Sequence, residues 1–237
     1  MISTPRGWRF AIPAGDARSY RLAQIDDYAH LARTRFLQRP PVVLALQARV
    51  SSARVPGTWG FGLWNDPFGA GCMPTAIFPR PPAFPQAAWF FSASERSHLS
   101  LRDDKPAKGF IAQCFSSQAP GLWLAAAGVL LPLAPRRSRQ ILSRHVLEDA
   151  ATVPHDPLSW HRYEIRWHAA AARFFVDDDL VLDSTVSPRP PLGIVIWIDN
   201  QRAAFTSSGK LTWGTEHSKD ESWLEVQDLT LTQDAVQ

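Results

Sequence analysis

The sequence predicts an all-β protein, a sandwich of two antiparallel sheets. Short segments either alternate apolar and polar residues or run as continuous apolar stretches, and both patterns are typical of strands. Twenty prolines among 237 residues separate these segments, and proline is disfavoured inside helices and central strands. The chain shows no βαβ rhythm, so an α/β layer fold is not expected. At this length the chain fits one large sandwich domain, residues 1–237.

Residues 1–86 contain four predicted strands and one long loop. Strands are predicted at residues 8–12, 20–25 and 42–50. The next strand, 58–64, reads Thr-Trp-Gly-Phe-Gly-Leu-Trp, and its glycines allow close approach of a ligand or a packed neighbour. A loop rich in proline and glycine follows at residues 65–86. Long ordered loops are often functional.

The chain after residue 86 is also predicted to form strands, apart from one helix at residues 139–148. The continuous β-branched run at 193–199 indicates a buried strand. The remaining strands are predicted at residues 88–93, 99–101, 109–115, 122–127 and 223–232.

A hairpin pattern at residues 160–182 is the most specific signal. Its first strand reads Trp-His-Arg-Tyr-Glu-Ile-Arg-Trp, with Tyr163, Ile165 and Trp167 facing one way. The strand after it, which begins near residue 172, turns at the acidic residues 177–179. The pattern resembles a hairpin of the concanavalin A-like lectin/glucanase superfamily, especially family-16 glycoside hydrolases, where Trp-His-x-Tyr-x-(Ile/Val)-x-Trp leads to a Tyr-(Val/Phe)-Asp-Gly turn. The resemblance runs loosely from residue 42 to the C-terminus. It implies a concanavalin A-like jelly-roll β-sandwich of two antiparallel sheets.

The same resemblance implies which strand would carry the catalytic residues of a family-16 hydrolase, and this chain lacks them there. Family-16 hydrolases use a Glu-x-Asp-x-(x)-Glu motif, whose two glutamates must face each other across the sugar bond. At the matching strand, 88–95, these positions fall near Trp89, Phe91 and Ala93 or Ser94. No other window carries the motif. The sequence therefore argues for the fold and against that hydrolase activity, and no catalytic residue is assigned.

Tryptophans in strands and polar residues at strand ends suggest ligand binding on a concave sheet. Indole stacks on sugar faces, while amides and carboxylates bond to hydroxyls. The favoured hypothesis is a non-hydrolytic protein that binds carbohydrate or another small ligand. Two alternatives stay open: a glycan-active enzyme with a rearranged site around Glu95, His98 and Asp199, and a structural or interaction domain whose aromatics are all core. The candidate ligand-binding residues are Trp59, Trp64, Asn65, Asp66, Trp89, Glu95, Arg96, His98, Trp123, Trp197, Asp199 and Asn200.

Charge and motif spacing exclude several other classes. The net charge is only +3, and the arginines at 136, 137, 139 and 144 are not interleaved with aromatics. No nucleic-acid partner is therefore predicted. The side chains of these arginines are expected in solvent. The histidines lack zinc-site spacing. The acidic residues at 177–179 with Asp183 are interpreted as a turn rather than a calcium site. No metal ion and no cofactor is predicted.

Cysteine usage and apolar runs bear on the compartment. Cys72 and Cys114 do not make a disulfide framework. Residues 1–6 lack an apolar signal core, and the longest apolar run, 121–134, is too short to span a membrane. We expect no membrane partner and a cytoplasmic location, or export if a leader was removed. The pattern does not define an oligomeric state.

Overall fold

The computed structural model describes residues 1–67, 80, 83–117, 135–206 and 210–233. Strands dominate these residues, with a short 3-10 turn at Arg33–Arg35 and a helix, α1, at Pro135–His145. In chain order the strands are β1 (Ile2–Thr4), β2 (Gly7–Ile12), β3 (Leu22–Asp26), β4 (Val42–Val50), β5 (Thr58–Trp64), β6 (Ala87–Ala93), β7 (Gly109–Ser117), β8 (Val146–Thr152), β9 (His161–Trp167), β10 (Ala172–Val176), β11 (Asp179–Ser184), β12 (Gly193–Asp199), β13 (Gln201–Phe205), β14 (Leu211–Thr215) and β15 (Ser222–Thr232).

Two large antiparallel sheets form the body of the molecule. The seven-stranded sheet has the order β1-β2-β15-β4-β9-β10-β11, and the six-stranded sheet has the order β3-β12-β5-β6-β7-β8. A small ribbon, β13-β14, is separate. The predicted all-β sandwich of two antiparallel sheets is confirmed.

The hydrophobic core lies between the inner faces of the two sheets. Phe61 and Phe90 of the six-stranded sheet meet Tyr163 of the other, with ring centroids 5.1 Å apart in both pairs. Phe174 packs edge-on against Phe90 at 5.3 Å. Such geometries are favoured by the aromatic quadrupole. The core therefore occupies one face of the six-stranded sheet and leaves its other face for a different role.

The hairpin that carries the resemblance forms as predicted. Tyr163, Ile165 and Trp167 are buried in the core. Between β10 and β11 the chain turns at Asp177 and Asp178, both with positive φ angles of 49° and 72°. Such angles suit a tight hairpin turn and are tolerated by aspartate.

Four features of the chain after residue 86 differ from the sequence prediction. The predicted helix begins four residues earlier and ends at His145, because residues 146–152 form β8, a strand with alternate residues buried. Residues 99–101 form no strand, and β13 and β14 were not predicted. Arg139 is buried rather than solvated, and it donates to the Asp103 carboxylate at 2.9 Å. The predicted strand at 122–127 lies outside the described residues.

A search of the described residues for an apolar helix of membrane-spanning length found none.

Candidate functional site

The outer face of the six-stranded sheet, turned away from the core, carries an aromatic cluster. Side chains alternate between the two faces of a strand, so Phe61, Phe90 and Ile196 enter the core while their neighbours point outwards. The outward rings come from four adjacent strands, β12, β5, β6 and β7. We call this group the outer aromatic cluster, and its members are Trp64, Trp89, Phe91, Phe115 and Trp197.

The rings of this cluster lie in mutual contact, with Trp89 in the middle. Trp89 lies 5.8 Å from Trp64, 5.7 Å from Trp197 and 5.4 Å from Phe91, measured between ring centroids. Phe115 meets it edge-on at 6.3 Å. Trp64 and Trp197 are buried at 8% exposure each, whereas Trp89 is only partly buried. Trp89 is therefore the indole that a ligand can reach most readily.

The two glycines of β5 make room for these indoles. A Cβ atom on Gly60 would stand 2.8 Å from the Trp197 ring, and one on Gly62 would stand 2.6 Å from the Trp89 Cβ. Real Cβ atoms do not approach so closely. Of the two roles expected for these glycines, the structure shows close packing of a neighbour.

Hydrogen bonds hold the three indoles in place. Trp197 Nε1 donates to Thr58 Oγ1 at 3.0 Å, and Trp89 Nε1 donates to Gln113 Oε1 at 3.1 Å. Trp64 Nε1 donates to the hydroxyl of Tyr28 at 2.6 Å. With every N–H already bonded to the protein, the cluster offers a ligand the apolar ring face rather than a donor.

One tryptophan of the predicted platform is not part of this cluster. Trp59 lies in the inter-sheet core, 2% exposed, with its ring 4.6 Å from Phe110. Its inclusion was wrong, because its position in β5 has the same parity as Phe61 and therefore the same inward direction. Trp123 lies outside the described residues.

Asp199 and Asn200, at the end of β12, are buried and bonded internally. Asp199 Oδ1 accepts hydrogen bonds from the Thr58 hydroxyl at 2.8 Å and from the Gln201 amide at 3.0 Å. Burial raises the pKa of Asp199 to about 6, against the opposing effect of these bonds. Asn200 joins three chain segments, since its side chain accepts from the Arg21 amide and donates to the carbonyls of Ser19 and Glu216. Both residues therefore stabilise the end of the six-stranded sheet through internal hydrogen bonds.

Asn65 and Asp66, at the end of β5, are also buried. The Asn65 side chain bridges to the loop before β6, donating to the Phe84 carbonyl and accepting from the Gln86 amide. Asp66 forms a buried ion pair with Arg80 at 2.7 Å. Burial raises the pKa of the Asp66 carboxyl, and Arg80 opposes the rise.

Glu95, Arg96 and His98 do not form one constellation. The chain leaves β6 at Ala93 and turns, with the Ser97 amide donating to the Ser94 carbonyl. Glu95 and Arg96 are exposed. Glu95 binds Lys108 at 2.9 Å, and this pairing lowers its pKa. The buried His98 Nε2 atom has no hydrogen-bond partner among the described residues, and burial lowers the imidazole pKa. The structure thus offers no acid/base pair between these residues.

One buried carboxylate on the outer face was missed from the sequence. Glu148 of β8 accepts hydrogen bonds from Gln113 Nε2 at 2.9 Å and from the Leu101 amide at 2.8 Å, and burial raises its pKa. The helix predicted over residues 139–148 hid it. Four strand spacings separate β8 from β12, so Glu148 and Asp199 lie roughly 19 Å apart or more. A glycosidase pair needs about 5–10 Å.

An open cavity of about 780 Å³ lies beside the Trp64 end of this face. Its walls come from the loop after β3, the residues that flank β5 and β6, and the segment before β12. None of its arginines was predicted, because they belong to separate segments without a motif. The polar residues that line it include His30, Arg33, Arg35, Asn65, Gln86 and Arg189.

No group of three or more metal-ligating side chains occurs among the residues that the structure describes. The acidic turn is bonded to protein partners: Asp177 binds His161, Asp178 binds Arg162, and the nearby Asp183 binds Arg173. Cys114 is a buried free thiol, and Cys72 lies outside the described residues.

The sequence matches no protein-family model and no curated protein. Its fold is similar to that of several solved structures. A legume lectin-like domain from Entamoeba histolytica shares 11% identity, with a TM-score of 0.48 over 94% of this chain and 82% of that domain. An alginate lyase shares 9% identity, with a TM-score of 0.45 over 94% and 74% of the two chains. A carbohydrate-binding module from Bacillus subtilis shares 10% identity, with a TM-score of 0.38 over 97% and 89%. At these identities the likeness concerns the fold alone.

Proposed function

We propose that this protein binds carbohydrate without hydrolysing it, through the outer face of the six-stranded sheet. The observation that carries the proposal is the half-buried Trp89 at the centre of the outer aromatic cluster. A saccharide presents patches of C–H groups that stack on an aromatic face. Trp89 offers such a face, because its N–H is already bound to Gln113 and its neighbours hold the ring in place.

Pre-organisation favours binding over a purely structural role for this ring. Core aromatics gain stability by burial on all sides, as Trp59 and Phe61 do. Trp89 instead rests on buried rings and keeps part of its surface open. A ring held rigidly before binding loses little side-chain entropy when a ligand arrives.

The carboxylates support binding rather than hydrolysis. Trp89, Phe91 and Ala93 occupy the outer face of β6, where the resemblance implies the catalytic triplet. The buried carboxylates of β8 and β12, Glu148 and Asp199, are too far apart to act on one glycosidic bond, and each accepts internal hydrogen bonds.

A glycan array followed by titration tests the proposal. The saccharide that binds most strongly should bind Trp89→Ala roughly three- to tenfold more weakly, because one stacking contact is worth about 0.5–1.5 kcal/mol. The matched control is Trp160→Ala. Trp160 is exposed and directly precedes β9 of the seven-stranded sheet, so this variant should bind as the parent does. Absence of binding to any glycan, or equal binding by Trp89→Ala, would refute the proposal.

A further inference from the structure

The cavity beside Trp64 is rich in positive charge. Among the described residues, four arginines line it and no carboxylate does. Arg80 is neutralised by its buried ion pair with Asp66, and the Asp66 charge also acts on Arg33. The other two, Arg35 and Arg189, add positive charge that no described carboxylate in the lining offsets.

The three arginines differ in how their charge is used. Arg33 Nε and Nη2 donate to the backbone carbonyls of Asn65 and Asp66 at 2.7 Å, so its guanidinium is held against the wall of the cavity. Burial lowers the pKa of the Arg33 guanidinium, which shows the cost of keeping it charged there. Arg35 and Arg189 are exposed, and in the described parts of the chain neither side chain has an acidic partner.

The surrounding backbone holds these charges in place before any ligand arrives. The loop after β3 is pinned by Arg80, which donates to the carbonyls of Tyr28, Ala29 and Leu31. On the opposite wall the Arg189 amide donates to Gln86 Oε1 at 2.8 Å. Gln86 is anchored in turn by its own bond to the Ser117 carbonyl. A fixed frame that presents the exposed guanidinium groups of Arg35 and Arg189 is suited to recognise a planar or tetrahedral oxyanion.

We propose that this cavity is a binding site for an oxyanion, a carboxylate or sulfate group, held by Arg35 and Arg189 with Arg33 behind them. The site goes beyond the proposed saccharide contact at Trp89 and does not depend on it. Because the cavity adjoins the Trp64 end of the outer face, the oxyanion can belong to an acidic saccharide or be a free inorganic anion. Both sources share the same recognition chemistry.

Calorimetric titration of the whole protein with sodium sulfate and with trigalacturonic acid tests the site, with neutral maltotriose as the comparison. The parent should bind both anions. Arg35→Gln and Arg189→Gln should each bind them about tenfold more weakly, because each removes one charge-assisted contact. The matched control, Arg18→Gln, removes a highly exposed arginine outside the cavity and should leave affinity unchanged. Both cavity variants alter exposed side chains, so their melting temperatures should stay near that of the parent.

The outcomes separate this proposal from the proposed function. Tighter binding of trigalacturonic acid than of sulfate identifies an acidic saccharide as the ligand, and equal binding identifies a free anion; both support the site. Failure of both anions to bind, or equal losses in Arg18→Gln, would overturn it. Loss of binding in Trp89→Ala for maltotriose but not for sulfate would show that the two sites act separately.

Discussion

The indole planes of Trp64 and Trp197 lie within 8° of parallel, with their ring centroids 6.3 Å apart. They come from the adjacent antiparallel strands β5 and β12, and the Trp89 ring lies 5.8 Å from Trp64 and 5.7 Å from Trp197. This arrangement depends on Gly60 and Gly62, which leave no side chain beneath the rings. The outer face of the sheet is thus a packed aromatic layer before any ligand is considered.

Gly60→Ala should disturb this layer. The added Cβ would stand 2.8 Å from the Trp197 ring and 2.4 Å from the Phe90 carbonyl oxygen, so either the indole or the backbone must shift. We expect the free energy of unfolding to fall by about 1–3 kcal/mol, as for other overpacked sites. Urea unfolding measures this. Gly214→Ala is the control, because a Cβ there meets only the flexible end of Arg202 at 3.2 Å; equal losses in both variants would contradict the packing argument.

Arg80 and Asp66 should show the asymmetry of a buried ion pair. Arg80→Met leaves a buried carboxylate and three carbonyl groups without their donor, and it should cost about 3–5 kcal/mol in unfolding free energy. Asp66→Asn should cost less, because Arg80 keeps its carbonyl acceptors. Chemical denaturation followed by tryptophan fluorescence measures both. Arg102→Met, which breaks the exposed pair with Asp104, should cost under about 1 kcal/mol, and a loss as large as that of Arg80→Met would contradict the role of burial.

Stability should depend on pH through Asp199. Its pKa is about 6 in the folded protein against a usual 3.8, so the folded state holds the proton more tightly than the unfolded chain does. The free energy of unfolding should therefore fall, by up to about 3 kcal/mol from this group, as pH rises from about 4 to about 7. Urea melts of the parent and of Asp199→Asn at both ends of this window provide the test. In Asp199→Asn the fall should be smaller, and an unchanged fall would show that other groups cause it.

The protein should release no reducing sugar from laminarin, lichenan, agarose or carrageenan. The physical reason is the separation of Glu148 from Asp199 and the occupation of the central β6 positions by Trp89 and Phe91. A reducing-end assay over a day of incubation checks this. Turnover that persists in the parent and disappears in Glu148→Gln would contradict the prediction and would make Glu148 a catalytic acid.

Local periodicity was enough to predict several elements and their inner faces. The strands β4, β5 and β12 were predicted with their observed bounds, and the hairpin of β9 to β11 was recognised with Tyr163, Ile165 and Trp167 on one face. Alternation is a property of consecutive residues, so the sequence carries it directly. The absence of the family's carboxylates from the strand at 88–95 was likewise visible in the residues themselves.

Tertiary structure alone decided which face of β5 meets the core and which residues gather at the cavity. Apart from Thr58, both faces of β5 are apolar or glycine, so alternation did not indicate which face meets the core. Trp59 lies inside and Trp64 outside. Arg33, Arg80 and Arg189 lie far apart along the chain, and their approach depends on how the loops after β3 and before β12 fold over the sheet end. Contacts between distant segments leave no local pattern, and for this reason the sequence determined the strands while the packed sandwich determined the site.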